Sequence, residues 1–246
     1  MAPPTIVLLH GFTQTGRSWA PTVAALGERY RALAPDLRGH GARADARPVD
    51  YPSIAADVLA LAPARFTLAG YSMGGRIALR LALAPAARGR VERLVLVGAS
   101  PGLRTAGERA ARRAADEALA AALERDGIEP FARRWAAQPL FADQPPAVRA
   151  AAHAERLRQA PAGLAAALRG VGTGAMPSLW ERLGELRVPV ALVVGARDAK
   201  FRRIAQEMAA ALPDATLHVI PDAGHAVQLE QPAAVARVLA GAARAA

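Results

Sequence analysis

The segment Phe66-Thr-Leu-Ala-Gly70-Tyr-Ser72-Met-Gly74-Gly75 constrains the fold more than any other part of the chain. A short apolar strand runs into a G-x-S-x-G turn, and an alanine- and leucine-rich helical pattern, Gly74–Leu83, leaves it. A serine on so sharp a strand-to-helix turn occupies strained backbone, and side chains at positions 70 and 74 would collide with neighbouring backbone. The turn holds the Ser72 hydroxyl at the carboxyl end of a sheet, near the N-terminus of a helix.

The same rhythm extends along the chain. Strands are expected at Thr5–Leu9, Arg31–Ala34, Phe66–Ala69, Arg93–Val97, Val190–Val194 and Thr216–Ile220. Helices are expected near Ser18–Leu26, Tyr51–Leu61, Gly74–Leu83, Arg202–Leu212 and Pro232–Ala243. Several strands are continuous apolar runs, as in strands covered on both faces. The alternation predicts an α/β fold with a mostly parallel, doubly wound sheet. From Gly102 to Ser178 the rhythm stops. Only helical patterns occur there, at Thr105–Leu123, Pro130–Ala136, Pro146–Gln159 and Gly163–Leu168, punctuated by glycine and proline. Residues 102–178 are therefore expected to form a helical cap inserted into a core of residues 1–101 and 179–246.

Composition removes several function classes. The 246 residues, 52 % apolar and 21 % charged, suit a folded chain with a full core. The absence of cysteine excludes thiol catalysis, disulfides and Cys-type zinc sites. No apolar run approaches the roughly 18 residues of a membrane span. The opening Met1-Ala-Pro-Pro-Thr-Ile-Val-Leu-Leu-His10 lacks a basic leader and reads as a strand, so a cytoplasmic location is expected. The net charge of +10 invites a nucleic-acid reading. Every basic residue except Lys200 is arginine, however, and the arginines are scattered without the interleaved aromatics of a base-stacking surface. With the alanine excess, this looks like the codon bias of a GC-rich genome. No nucleic-acid or membrane partner is expected, a small anionic substrate suits the charge, and the oligomeric state is left open.

A serine at its ordinary pKa is a weak nucleophile or base and needs a histidine. Of His10, His40, His153, His218 and His225, the last stands in Asp222-Ala-Gly224-His225, directly after the final strand. An acid is expected on the loop after Val190–Val194, where Gly195-Ala-Arg-Asp198 supplies it. The order Ser72, Asp198, His225 is that of one triad arrangement and not of chymotrypsin or subtilisin. Asp222 is the rival acid, but it shares a loop with His225 and would need a cramped geometry. The acid fixes the imidazole tautomer and stabilises imidazolium. Two backbone N–H donors for an oxyanion hole are expected at Met73, after the elbow, and at Phe12, in His10-Gly11-Phe12 after the first strand.

In this order, His10-Gly11-Phe12, Pro35-Asp-Leu-Arg-Gly-His-Gly41, the Ser72 elbow, Asp198 and Gly224-His225 resemble the α/β-hydrolase superfamily over the whole chain. Because so few residues precede Thr5, the usual first antiparallel hairpin is expected to be missing, leaving about six strands. A narrower resemblance lies in Gly70–Arg76, Ala99-Ser-Pro-Gly-Leu103, Trp135-Ala-Ala-Gln-Pro-Leu-Phe141, Gly172–Trp180 and Gly195–Phe201. Together these are similar to the 2-succinyl-6-hydroxy-2,4-cyclohexadiene-1-carboxylate synthase family of menaquinone biosynthesis. One departure is Gln228, where many members carry a histidine three residues after the catalytic one.

That resemblance implies a lyase that eliminates pyruvate from 2-succinyl-5-enolpyruvyl-6-hydroxy-3-cyclohexene-1-carboxylate. Ser72, activated by His225, would remove a ring proton, and the oxyanion hole would stabilise charge on the succinyl ketone oxygen. Neither a metal nor an organic cofactor is implied. The substrate's three carboxylates suit arginines facing the pocket. The motif matches point to Arg76, Arg112, Arg158, Tyr71, Trp135 and Gln138 as substrate-binding residues, with Arg113 and Arg156 as neighbouring alternatives. Lys200 reads either as a solvated surface lysine or as a cation that orients the Asp198 loop or attracts anions. The competing readings are a carboxylesterase or carbon–carbon bond hydrolase with the same triad, and a non-catalytic binding module.

Overall fold

The computed structural model describes residues 3–241. Six strands, β1 (Thr5–Leu9), β2 (Arg31–Leu33), β3 (Phe66–Tyr71), β4 (Val91–Val97), β5 (Val190–Gly195) and β6 (Ala215–Ile220), form one sheet in the order β2-β1-β3-β4-β5-β6. Every pairing is parallel, and among the described residues there is no antiparallel hairpin. Chain order reverses between β1 and β3, and a crevice at the carboxyl ends of strands beside such a switch is where α/β sheets place ligands.

Strand residues divide between two cores with period two. Val7, Leu9, Leu68, Leu94, Leu96 and Leu192 face one side, with Ile54, Ile77 and Met208. Ile6, Leu8, Ala69, Val95, Val97 and Val193 face the other, with Leu26, Val235 and Leu239. Burial on both faces explains why these strands read as unbroken apolar runs. The covering helices are α1 (Ala20–Leu26), α2 (Tyr51–Leu61), α3 (Met73–Ala82), α8 (Ala199–Ala211), the short α9 (Val227–Glu230) and α10 (Pro232–Leu239). Helix boundaries moved where caps act. The helix expected from Ser18 begins as a 3₁₀ turn, Gly16–Trp19, and becomes α1 where Pro21 suits a first turn. That expected at Arg202 starts three residues earlier, because the Asp198 side chain accepts the Phe201 N–H and caps α8. The helix expected to run to Ala243 stops at Leu239, where Ala240 and Gly241 form a turn with Gly241 at φ 74°; positions 242 and 243 lie outside the described residues.

Between β4 and β5 the chain adds only helices, α4 (Ala106–Asp126), α5 (Ile128–Ala136), α6 (Pro146–Leu157) and α7 (Pro161–Val171), with short 3₁₀ turns. α4 opens on a reciprocal capping box between Thr105 and Glu108. Ala120, Ala165 and Leu168 form one small core of this insert, and Leu123, Phe131 and Leu164 another. Phe12, from the loop after β1, packs into both. Its ring meets those of His40, Phe131 and Trp135 edge-on, so one core side chain anchors the insert.

Candidate active site

Ser72 sits between β3 and α3 with φ 50° and ψ −106°, a backbone conformation that L-residues rarely adopt. A Cβ at Gly70 would overlap the Gly74 backbone, and one at Gly74 would overlap the Leu9 carbonyl. The two glycines thus let the first turn of α3 lie against β3 and β1, and this closeness holds the serine in its strained position.

The His225 Nδ1–H donates to Asp198 Oδ2 at 2.7 Å, and the Ser72 hydroxyl donates to His225 Nε2 at 3.3 Å. His225 and Asp198 are both buried. The second Asp198 oxygen accepts the Phe201 N–H at 3.0 Å, so the carboxylate is oriented from two directions. Asp222 takes no part: its carbonyl accepts from Arg197, and its side chain makes no contact with the imidazole. The Phe201 ring lies 4.4 Å from the His225 ring and that of Tyr71 5.3 Å, centroid to centroid.

Two other histidines, His10 and His40, are buried in structural roles. His10 accepts the Leu37 N–H on Nε2 and donates from Nδ1 to the Gly11 carbonyl. Burial lowers its pKa to about 4, so it is neutral. His40, buried against it, is also held well below the ordinary histidine value, by burial first and His10 second. His218 lies on the edge strand β6.

A cavity of about 250 Å³ opens onto Ser72 and His225. Phe12, Met73, Arg76, Arg112, Trp135 and Gln138 all line it, as do Phe201, Trp180 and Lys200. Met73 is the first residue of α3, where N–H groups have no intrahelical carbonyl to meet. Arg76, buried one turn along α3, donates from Nη1 to the Val171 carbonyl at 3.0 Å and the Tyr51 hydroxyl at 3.2 Å. Neither partner is charged. Arg112 is compensated, its Nε donating to the buried Asp116 carboxylate at 2.7 Å.

Two expected substrate-binding residues lie elsewhere. Tyr71 is buried beside His225 and does not line the cavity. The Arg158 side chain is 61 % exposed, pairs with Glu155 at 2.6 Å, and borders a separate groove with Arg17 and Ala151. It is Arg156 that turns inward. Its guanidinium is buried without a carboxylate partner, its Nε makes no hydrogen bond, and burial lowers its pKa, with the Tyr71 phenol opposing. Helical spacing could have found it. Half-buried Val148 and Ala152 precede Arg156 at four-residue spacing, whereas position 158, the C-cap of α6, is about 200° round the helix from 156. Arg113 borders an outer groove with Glu117. Gln228 is fully buried, its amide donating to Gln14 Oε1 at 3.4 Å while its own Oε1 has no partner.

A serine on a strained elbow, a histidine and an acid in that chain order, at the carboxyl ends of a parallel sheet, define a Ser-His-Asp α/β fold. The alpha/beta hydrolase family model matches residues 6–238, and the chain belongs to that family. It is 40 % identical over 244 residues to a Bacillus subtilis (strain 168) protein provisionally named 2-succinyl-6-hydroxy-2,4-cyclohexadiene-1-carboxylate synthase, covering 94 % of this chain and 87 % of that one. It is 38 % identical over 250 residues to the synthase of that name from Salmonella paratyphi C (strain RKS4594), covering 96 % and 92 %. The solved structure of MenH from S. aureus superposes with a TM-score of 0.88 at 32 % identity, over 97 % of this chain and 92 % of that one. No helix among the described residues is long and apolar enough to cross a membrane.

Proposed function

We propose that the chain is a 2-succinyl-6-hydroxy-2,4-cyclohexadiene-1-carboxylate synthase. It eliminates pyruvate from 2-succinyl-5-enolpyruvyl-6-hydroxy-3-cyclohexene-1-carboxylate in menaquinone biosynthesis. The observation that carries this reading is the pairing of a complete serine–histidine–aspartate relay with buried arginines that lack carboxylate partners. Arg76 lines the cavity among neutral partners, and Arg156 is buried near Tyr71. An unpaired buried guanidinium is costly, and an anionic substrate relieves it. A neutral ester would leave both charges uncompensated.

In the reaction Ser72 is the base. Its proton is drawn to His225 Nε2, and the serine oxygen takes the hydrogen from the ring carbon beside the succinyl ketone. The negative charge that develops on the ketone oxygen meets the Phe12 and Met73 N–H groups. The electron pair moves through the ring double bond, the bond from ring carbon to enolpyruvyl oxygen breaks, and the 2,4-diene forms. The imidazolium, held by Asp198, returns its proton as pyruvate leaves. No bond between Ser72 and a substrate carbon forms at any stage. Arg76, Arg112 and Arg156 bind substrate, with Trp135 and Gln138 as further walls of the pocket; Arg158 is assigned no contact. Tyr71 contributes through its position beside His225 and Arg156. Residues 102–178 act as the cap over the core of residues 1–101 and 179–246. The enzyme works in the cytoplasm on a small soluble anion.

The test is incubation of the purified protein with this substrate, following pyruvate release and diene absorbance together. Stoichiometric appearance of both supports the reading, and hydrolysis of simple esters without pyruvate release contradicts it.

A further inference from the structure

The cavity's third cation, Lys200, is not accounted for by the relay or by the arginines. It is the only lysine among the basic residues of the chain. It occupies the first turn of α8, where the positive end of the helix dipole disfavours a cation. The helix therefore gains nothing from it. Among the described residues no carboxylate pairs with its ammonium, and Nζ lies 5.7 Å from the centroid of the Phe201 ring. Arg112 differs, being neutralised by Asp116.

Its position differs from that of Arg76 as well. Lys200 lines both the cavity and an outer groove, and Gln138, Leu140 and His225 are shared by the two. Arg76 lines the cavity alone. Lys200 thus stands where the cavity meets solvent, on backbone fixed by the Asp198 cap. It is itself exposed, with a long flexible stem.

We propose that Lys200 is a specificity-determining residue at the mouth of the site, which captures one carboxylate of the polyanionic substrate. This deepens the proposed function and rests on it. Of the three cations that line the cavity, Arg112 is shared with Asp116 and only Arg76 and Lys200 have no carboxylate partner among the described residues, so a substrate with three carboxylates finds in Lys200 a free cation at the rim. An ammonium at the rim of a cleft raises the local concentration of an anion and contributes to binding more than to the bond-breaking step.

The test is steady-state pyruvate release by wild type, Lys200→Gln, Lys200→Glu and Lys200→Arg across a salt series. Lys200→Gln should raise KM about 5-fold with kcat within about 2-fold of wild type, since a partly exposed ion pair is being removed. Lys200→Glu should raise KM by about 20-fold or more, and Lys200→Arg should restore most of the loss. The decline of kcat/KM with added salt should be shallower in Lys200→Gln than in wild type, a response that a merely structural role would not produce. An unchanged KM in Lys200→Glu, in a wild type that releases pyruvate, overturns the Lys200 assignment alone. A fall in kcat without a change in KM or in salt dependence overturns it equally. A wild type that releases no pyruvate overturns the proposed function, and this assignment with it.

Discussion

Asp198 Oδ2 accepts the His225 Nδ1–H at 2.7 Å, while Oδ1 of the same carboxylate accepts the Phe201 N–H that starts α8. The acid of the relay is therefore also a helix cap, and its side chain cannot turn away from the imidazole without uncapping the helix. Asp198→Asn retains the cap but presents an amide where an acceptor is needed. It should lower kcat by about 10³-fold or more, through the wrong imidazole tautomer, with little change in Tm. Equal losses of kcat and Tm would reduce Asp198 to its capping role.

The strain at Ser72 predicts a trade between activity and stability. A residue held in a sparsely populated backbone region costs about 1–3 kcal/mol, which glycine largely avoids, set against the greater freedom of glycine in the unfolded chain. Ser72→Gly should abolish pyruvate release and raise stability by about 1 kcal/mol, read by urea denaturation. A less stable Ser72→Gly would show that the elbow is not strained.

Gly74→Ala probes the same elbow from below. The added methyl meets the Leu9 and His10 carbonyls, which belong to rigid backbone at the end of β1. Stability should fall by about 3 kcal/mol or more, and catalysis should weaken as Ser72 is displaced. A neutral effect in denaturation would mean that α3 and β1 are not closely packed at Gly74.

Most of this was legible because it is local. The elbow, the unbroken apolar strands and the chain order Ser72, Asp198, His225 are sequence patterns whose physics is short-range, and the strands appear where the runs predict. What was not legible depended on direction. Arg156 and Arg158 are two residues apart with the same side chain, and only the face that α6 turns inward separates them. Phe201 and Tyr71 gather round His225 from α8 and β3, a convergence no spacing along the chain encodes. The dual role of Asp198 explains why α8 starts earlier than its apolar periodicity suggests.

Arg76 donates to the Val171 carbonyl and the Tyr51 hydroxyl, bridging the elbow helix, α7 and α2. Arg76→Ala should lower kcat/KM for the trianionic substrate by about 10²-fold, the worth of a charge-assisted pair of roughly 2–3 kcal/mol in a shielded site. Turnover of a small neutral ester, where measurable, should hardly change. Equal loss of both activities would assign Arg76 to tethering α7 rather than to substrate.

Acid sensitivity follows from the buried histidines. The His10 pKa falls from 6.5 in the unfolded chain to about 4 when folded, so the unfolded state binds the extra proton between these values. Stability should be full above pH 6.5 and decline as pH falls toward 4, by about 2 kcal/mol at pH 5 from His10 alone. His40, shifted in the same direction, adds to the decline. His10→Gln should be less stable at neutral pH yet show a shallower fall with acid. An unchanged slope in urea titrations would place the acid sensitivity elsewhere.

In the proposed reaction Ser72 acts as a base on a carbon acid and never as a nucleophile. Rapid-quench mass spectrometry of the wild type during turnover of 2-succinyl-5-enolpyruvyl-6-hydroxy-3-cyclohexene-1-carboxylate tests it directly. The predicted result is pyruvate and diene released together, an unmodified protein mass at every time point, and no pyruvate from Ser72→Ala. A transient mass increase on Ser72, or pyruvate release that survives Ser72→Ala, would contradict it.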